Sequence, residues 1–224
     1  MAPRDQPVAV RARVIRVKIC GVNDEAAFDA AAEAGADWVG FVFFARSPRC
    51  VTPARAAALS SRVKGGPVRV GLFVEPADAE IEAALAHFKL DVLQLYAPAA
   101  RVAEIGARFG VPVWRAVPVT GPGDLPASIA GEAALVVEPK PPPGATRPGG
   151  NATPLDWSLL RAWRPAYPWL LAGGLRPDNV GRAVAESGAA AVDVSSGVET
   201  APGRKSASLI RALVDAARRE RAPG

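Results

Sequence analysis

"RVIRVKICGVNDEAAFDAAAEAGADWVGFVFF", Arg13 to Phe44, holds two apolar runs around one Ala-rich stretch. The first run, rich in Val and Ile, ends at Cys20. Asn23-Asp24-Glu25 then supplies a helix-cap candidate followed by an acid in the first turn. Gly35 is a stop signal for the Ala-rich helix, and the second apolar run begins beside Trp38. Strand, helix and strand in this order form one βαβ unit, with parallel strands and a right-handed crossover.

The pattern recurs along the chain. Further strand candidates are "VRVGLFV", "LDVLQLY", "VPVWRAVPV", "AALVVE", "YPWLLAGG" and "AAVDVSSG", each followed by a helical stretch, with "GDLPASIAG" the weakest. Thr52-Pro53 opens one helix and Gly188 closes another. Eight strand–helix units in about 210 residues predict a single-domain (β/α)8 TIM barrel over residues 13–224, with a doubly wound open sheet as the alternative. Residues 1–12 read as a flexible tail. "EPKPPPGATRPGGNATPLDW", Glu138 to Trp157, reads as a long loop after the sixth strand, and long loops on that face usually serve binding.

The bulk numbers narrow the function. Of 224 residues, 50% are hydrophobic and 22% charged, a balance that supports a sizeable core. The net charge of +5 admits anionic small substrates, but the basic residues are scattered and no basic block is interleaved with aromatics. Nucleic acid is therefore not an expected partner. No run reaches a membrane span and no signal-peptide pattern opens the chain. Two cysteines, Cys20 and Cys50, make no disulfide framework. Reduced thiols and a cytoplasmic location are expected.

Barrel enzymes build their sites at the C-terminal ends of the strands. Cys20 ends the first strand there, followed by Gly21. An open position at the mouth would suit a nucleophile or a base, partly thiolate, and a small apolar core residue fits the same place. Glu138 ends the sixth strand and makes a plausible acid/base partner, kept protonated by a partly apolar mouth. Arg49, in "RSPRC", can project a guanidinium fork toward a carboxylate. Gln94 is expected to end the fourth strand, where it could bond substrate hydroxyls. Asp193 lies inside the eighth strand and needs a partner or an exit to the mouth. Gly173-Gly174 and Ser195-Ser196-Gly197 end the last two strands, where backbone N–H groups commonly hold phosphate. His87 is expected on a solvated helix, away from chemistry.

In order and spacing, "VKICGVND", "GADWVGFVFFARSPRCVTP", "VGLFV", "LDVLQLY", "GGNATPLDW", "LLAGGLRPDNV" and "VDVSSGVETAPGRK" resemble phosphoribosylanthranilate isomerase of tryptophan biosynthesis. The resemblance runs from about Val14 to Arg219. It implies a single (β/α)8 barrel without cofactor or metal, acting on a small phosphorylated substrate as a monomer or homodimer. The implied reaction is an Amadori rearrangement of N-(5-phosphoribosyl)anthranilate to the 1-deoxyribulose form. Carried over residue by residue, Cys20 is the general base and Glu138 stands where the family has an aspartate as general acid. Arg49 contacts the anthranilate carboxylate, and the Gly173-Gly174 and Ser195-Ser196-Gly197 loops hold phosphate.

The chain departs from the family pattern at Glu138, at Tyr96 where "QLH" is usual, at Asn151-Ala152 in the sixth loop, and at Ser206, where aspartate usually follows the lysine. These departures are expected to cluster at the site face. They leave open a diverged paralogue acting on another phosphorylated aminosugar, and a barrel that binds without catalysing.

Overall fold

The computed structural model describes residues 14–145, 147–149 and 155–220; the tail over residues 1–12 and the Asn151-Ala152 pair lie outside the described residues. Eight parallel strands close into a barrel: β1 (Arg16–Cys20), β2 (Trp38–Val42), β3 (Val68–Val74), β4 (Val92–Tyr96), β5 (Val113–Val119), β6 (Ala134–Pro139), β7 (Trp169–Ala172) and β8 (Ala191–Val194). β1 pairs with both β2 and β8, so the open-sheet alternative is excluded. A short hairpin, β9 (Glu199–Ala201) with β10 (Arg204–Lys205), follows the last barrel strand.

The helices are α1 (Glu25–Glu33), α2 (Pro53–Ser60), α3 (Asp78–Leu85), α4 (Ala99–Phe109), α5 (Val180–Ser187) and α6 (Ala207–Arg219). Asp24 caps α1 by accepting from Ala27 N at 2.8 Å, and Thr52 caps α2 with Pro53 behind it. The helices expected after the fifth and sixth strands are corrected to single 3-10 turns, at Pro122–Asp124 and Trp157–Leu160. In the first case Gly and Pro recur too closely for a helix to propagate. In the second, one turn already buries Trp157 and Leu160 against the barrel wall.

Both faces of each strand are covered, which is why the strands read as nearly continuous apolar runs. Ile15, Val17, Ile19, Phe28, Phe41, Leu135 and Leu171 join the layer between barrel and helices. Inside the barrel, Trp38, Val70, Val92, Trp114, Val136 and Leu170 form a separate plug. Its two indoles meet edge to face, with centroids 5.3 Å apart. The plug leaves the C-terminal end of the barrel as the place for a site.

Candidate active site

Strand alternation aims Lys18 and Cys20 of β1 into the barrel. Cys20 packs with Val42 and Leu72, and it also lines a pocket at the C-terminal mouth. The expectation of an open, partly ionised thiol is corrected: Cys20 is only 5% exposed. Burial pushes its thiol above the ordinary value, against the opposing pull of Lys18. Lys18 is completely buried, and its Nζ donates to Asp193 Oδ1 at 2.9 Å. Asp193 thus finds both a partner and the pocket. The ion pair sits beside the thiol, with the cation favouring thiolate and the carboxylate opposing it.

Across the mouth, Glu138 is the penultimate residue of β6, and Pro139 biases it to an extended conformation. Its carboxyl is buried, and Oε1 has no hydrogen-bond partner among the described residues. Burial pushes its pKa up to about 8, with the Tyr96 hydroxyl and Lys18 pulling the other way. At neutral pH the group is a carboxylic acid, able to donate. Tyr96, the last residue of β4, lines the same pocket.

Arg49 also lines the pocket, but it does not hang free over the mouth. It is 4% exposed and held side-on by Glu199, through Nε to Oε1 at 2.7 Å and Nη2 to Oε2 at 2.8 Å. Its stem crosses the end of β1, where a Cβ on Gly21 would run into the Arg49 side chain; Gly21 also has φ +74°. Lys205, its side chain fully buried, donates to the same Glu199 Oε1 at 2.7 Å and to Ser195 O at 3.0 Å. Burial lowers the Lys205 pKa to about 8, against the attraction of Glu199.

Gly173, Gly174, Ser195, Ser196 and Gly197 all border the pocket, as expected for an anion-holding pair of loops. The two loops are pressed together: a Cβ on Gly197 would overlap the Leu175 carbonyl. Asn179 closes the first loop, accepting from Arg176 N at 2.7 Å and donating to Gly174 O at 3.0 Å. The end of β6 contributes Pro139 to the pocket wall, and the long sixth loop contributes Lys140, Pro141, Arg147, Pro148 and Gly149.

Gln94 is the expected site residue that the structure leaves out of the pocket. It sits mid-strand in β4, not at the end, and is buried below the lining, with Oε1 unpartnered. Tyr96, two residues on and on the same face, occupies the mouth instead. His87 is exposed and bonds the Ala83 carbonyl, away from the pocket, and Cys50 is exposed. Ser206 is corrected from a site departure to a helix cap: its Oγ accepts from Leu209 N at 3.3 Å at the start of α6. Ser and Asp serve comparably as caps. Among the described residues no cluster of His, Cys, Asp and Glu is arranged to hold a metal ion.

The family model for N-(5′-phosphoribosyl)anthranilate isomerase matches residues 17–216. The chain belongs to the phosphoribosylanthranilate isomerase family. The N-(5′-phosphoribosyl)anthranilate isomerase of Acidiphilium cryptum is 55% identical over 90% of this chain and 98% of its own length. The phosphoribosylanthranilate isomerase structure from Thermotoga maritima superposes with a TM-score of 0.80 at 32% identity, covering 92% of this chain and all of that one. A phosphoribosylanthranilate isomerase structure in complex with reduced 1-(o-carboxyphenylamino)-1-deoxyribulose 5-phosphate superposes at 0.77 and 30% identity over the same shares.

Lys18, Glu199 and Lys205 stand inside the family's motifs but receive no role from the sequence. Lys18 had a signal: a lysine two residues before Cys20 on the same face of an otherwise apolar strand. Glu199 and Lys205 stand six residues apart in "VDVSSGVETAPGRK" and pair across the hairpin, but nothing in that stretch announces that Arg49, 150 positions away, packs against Glu199.

Proposed function

We propose that this chain isomerises N-(5′-phosphoribosyl)anthranilate to 1-(2-carboxyphenylamino)-1-deoxyribulose 5-phosphate. The observation that carries the reading is a buried carboxylic acid and a buried thiol beside a lysine, lining one pocket with an arginine and two small-residue loops. Glu138 protonates the furanose ring oxygen, and the C1′–O4′ bond opens to a Schiff base. Cys20, as thiolate, removes the C2′ proton, and the freed electron pair forms the C1′–C2′ double bond of an enolamine. The enolamine then tautomerises to the ketone. Arg49 receives the anthranilate carboxylate, and backbone N–H groups of Gly174, Ser196 and Gly197 receive the phosphate. Asp193 sits where it can face the sugar or its amine, whereas burial below the pocket argues against a substrate contact for Gln94.

The reading takes the chain as a cytoplasmic enzyme without nucleic-acid or membrane partners. Among the described residues no helix is long and apolar enough to cross a membrane. A monomer or homodimer fits: Val14 is the one exposed large hydrophobic residue among those described, and the Thermotoga maritima relative is called dimeric.

The direct test is growth of a tryptophan auxotroph lacking this isomerase, with Glu138→Gln as the chemical control. Rescue by the parent chain is expected. Glu138→Gln removes the proton and keeps the shape, so isomerisation should nearly vanish while affinity for a reduced product analogue stays within a few-fold. No rescue by well-expressed protein would count for the diverged-paralogue alternative.

A further inference from the structure

Two departures from the family pattern, Tyr96 and Glu138, meet in space. Tyr96 closes β4, Glu138 comes from β6, and both turn into the mouth. Gly149 of the sixth loop packs over them. A Cβ on Gly149 would run into the Tyr96 hydroxyl and lie 2.7 Å from Glu138 Oε2 and 3.2 Å from Oε1. Glycine is the residue that lets the loop backbone close over this pair.

The two oxygens of the Glu138 carboxyl are not equivalent. Oε1 is buried with no partner among the described residues, whereas Oε2 is the oxygen nearer the Gly149 backbone. A buried polar atom without a partner is costly unless something arrives to satisfy it. A neutral carboxyl has one O–H donor and one carbonyl acceptor. A phenol donating to one oxygen makes that oxygen the carbonyl and leaves the proton on the other. Tyr96 is suited to donate: burial first, then the neighbouring Glu138, push its pKa well above the ordinary value, so it keeps its proton.

We infer that Tyr96 is a positioning residue for the acid: its hydroxyl donates to one oxygen of Glu138 and leaves the proton on the unpartnered Oε1, offered to the substrate. The inference rests on Glu138 being the acid. It explains how a side chain one bond longer than aspartate can be held still at the strand end. Without an anchor, the extra torsion would let the carboxyl swing, and misplacement of about 1 Å can cost ~10²-fold in rate.

The other groups facing Glu138 are Asp193 from β8, which opposes its ionisation, and Lys18 from β1, which favours it. Lys140 and Arg147 of the sixth loop line the same pocket. None of these is altered in the variant that tests the inference, Tyr96→Phe.

In Tyr96→Phe, kcat should fall about tenfold while KM stays within about twofold, because the proton donor is misdirected and the binding groups are untouched. The infrared carboxylic-acid band assigned to Glu138 by difference from Glu138→Gln should titrate near pH 8 in the unliganded parent. In Tyr96→Phe its midpoint should move upward, since the lost hydroxyl had stabilised the carboxylate. In a Glu138→Asp background the shortened side chain no longer reaches the hydroxyl, so Tyr96→Phe should cost less than about twofold there. Unchanged kcat and an unmoved midpoint in folded Tyr96→Phe would overturn the positioning role, as would an equal loss in both backgrounds. Full activity of Glu138→Gln would instead overturn the acid assignment itself, and the infrared midpoint in the free protein keeps the two failures apart.

Discussion

Arg49 and Glu199, far apart in the chain, are locked side-on, with Nε to Oε1 at 2.7 Å and Nη2 to Oε2 at 2.8 Å. The side-on grip leaves the end-on edge of the guanidinium, Nη1 and the second Nη2 hydrogen, for another carboxylate. Lys205 shares Glu199 Oε1, so two cations surround one anion and a net positive charge borders the pocket. The carboxylate of the proposed substrate would complete the balance. Glu199→Gln keeps the shape but loosens Arg49; steady-state kinetics should show KM raised about tenfold with kcat within a few-fold. An unchanged KM would mean that Arg49 does not read the carboxylate.

The proposed mechanism needs Cys20 without its proton and Glu138 with one. In the free protein the order is reversed, with Glu138 at about 8 and Cys20 pushed above its ordinary value near 9. Below pH 8 the productive pairing of thiolate and neutral carboxyl grows tenfold per pH unit. Above pH 8, loss of the Glu138 proton cancels that gain, so log kcat/KM should flatten and decline only once Cys20 ionises fully. Activity that falls between pH 7 and 8 would contradict this pairing.

Cys20→Ser should lower turnover by ~10²-fold or more, the usual scale for a lost acid–base group. Cys50 is exposed and outside the pocket lining, so Cys50→Ser should match the parent. Single-turnover assays of both variants decide it: near-parent activity in Cys20→Ser would remove Cys20 as the base.

Gly197→Ala puts a methyl group where the Leu175 carbonyl already sits. The last two loops must part, and with them the N–H groups expected to hold phosphate. KM should rise by at least about tenfold while inhibition by inorganic phosphate weakens in parallel. Retained phosphate inhibition would place the anion elsewhere.

Lys18→Met removes the cation from a buried pair and leaves Asp193 uncompensated. Denaturant unfolding should show a loss of about 3 kcal/mol or more, typical for breaking one side of a buried ion pair. Lys18 also favours the Cys20 thiolate, so iodoacetamide should alkylate Cys20 more slowly at pH 8 in this variant than in the parent. Parent-like stability together with a parent-like alkylation rate would separate Lys18 from both roles.

Local chemistry determined much of this protein in the sequence itself. Apolar runs alternating with Ala-rich stretches specified eight strands, and Asp24, Thr52 and Gly188 marked helix ends, because capping and left-handed turns depend on neighbours a few residues away. Position at a strand end, or for Arg49 in the loop after the second strand, made Cys20, Glu138, Arg49 and the two glycine- and serine-rich loops candidates, and the family resemblance gave them roles. Tertiary structure decided what those residues are. Closure of β8 onto β1 brought Asp193 to Lys18, and folding of the hairpin after β8 brought Glu199 to Arg49. Burial turned an expected open thiol into an enclosed one and kept Glu138 protonated. The extent of β4, which runs on to Tyr96, put that residue and not Gln94 at the mouth. Such pairings join residues more than a hundred positions apart, and desolvation depends on everything packed around a group, so neither is carried by any short stretch of the chain.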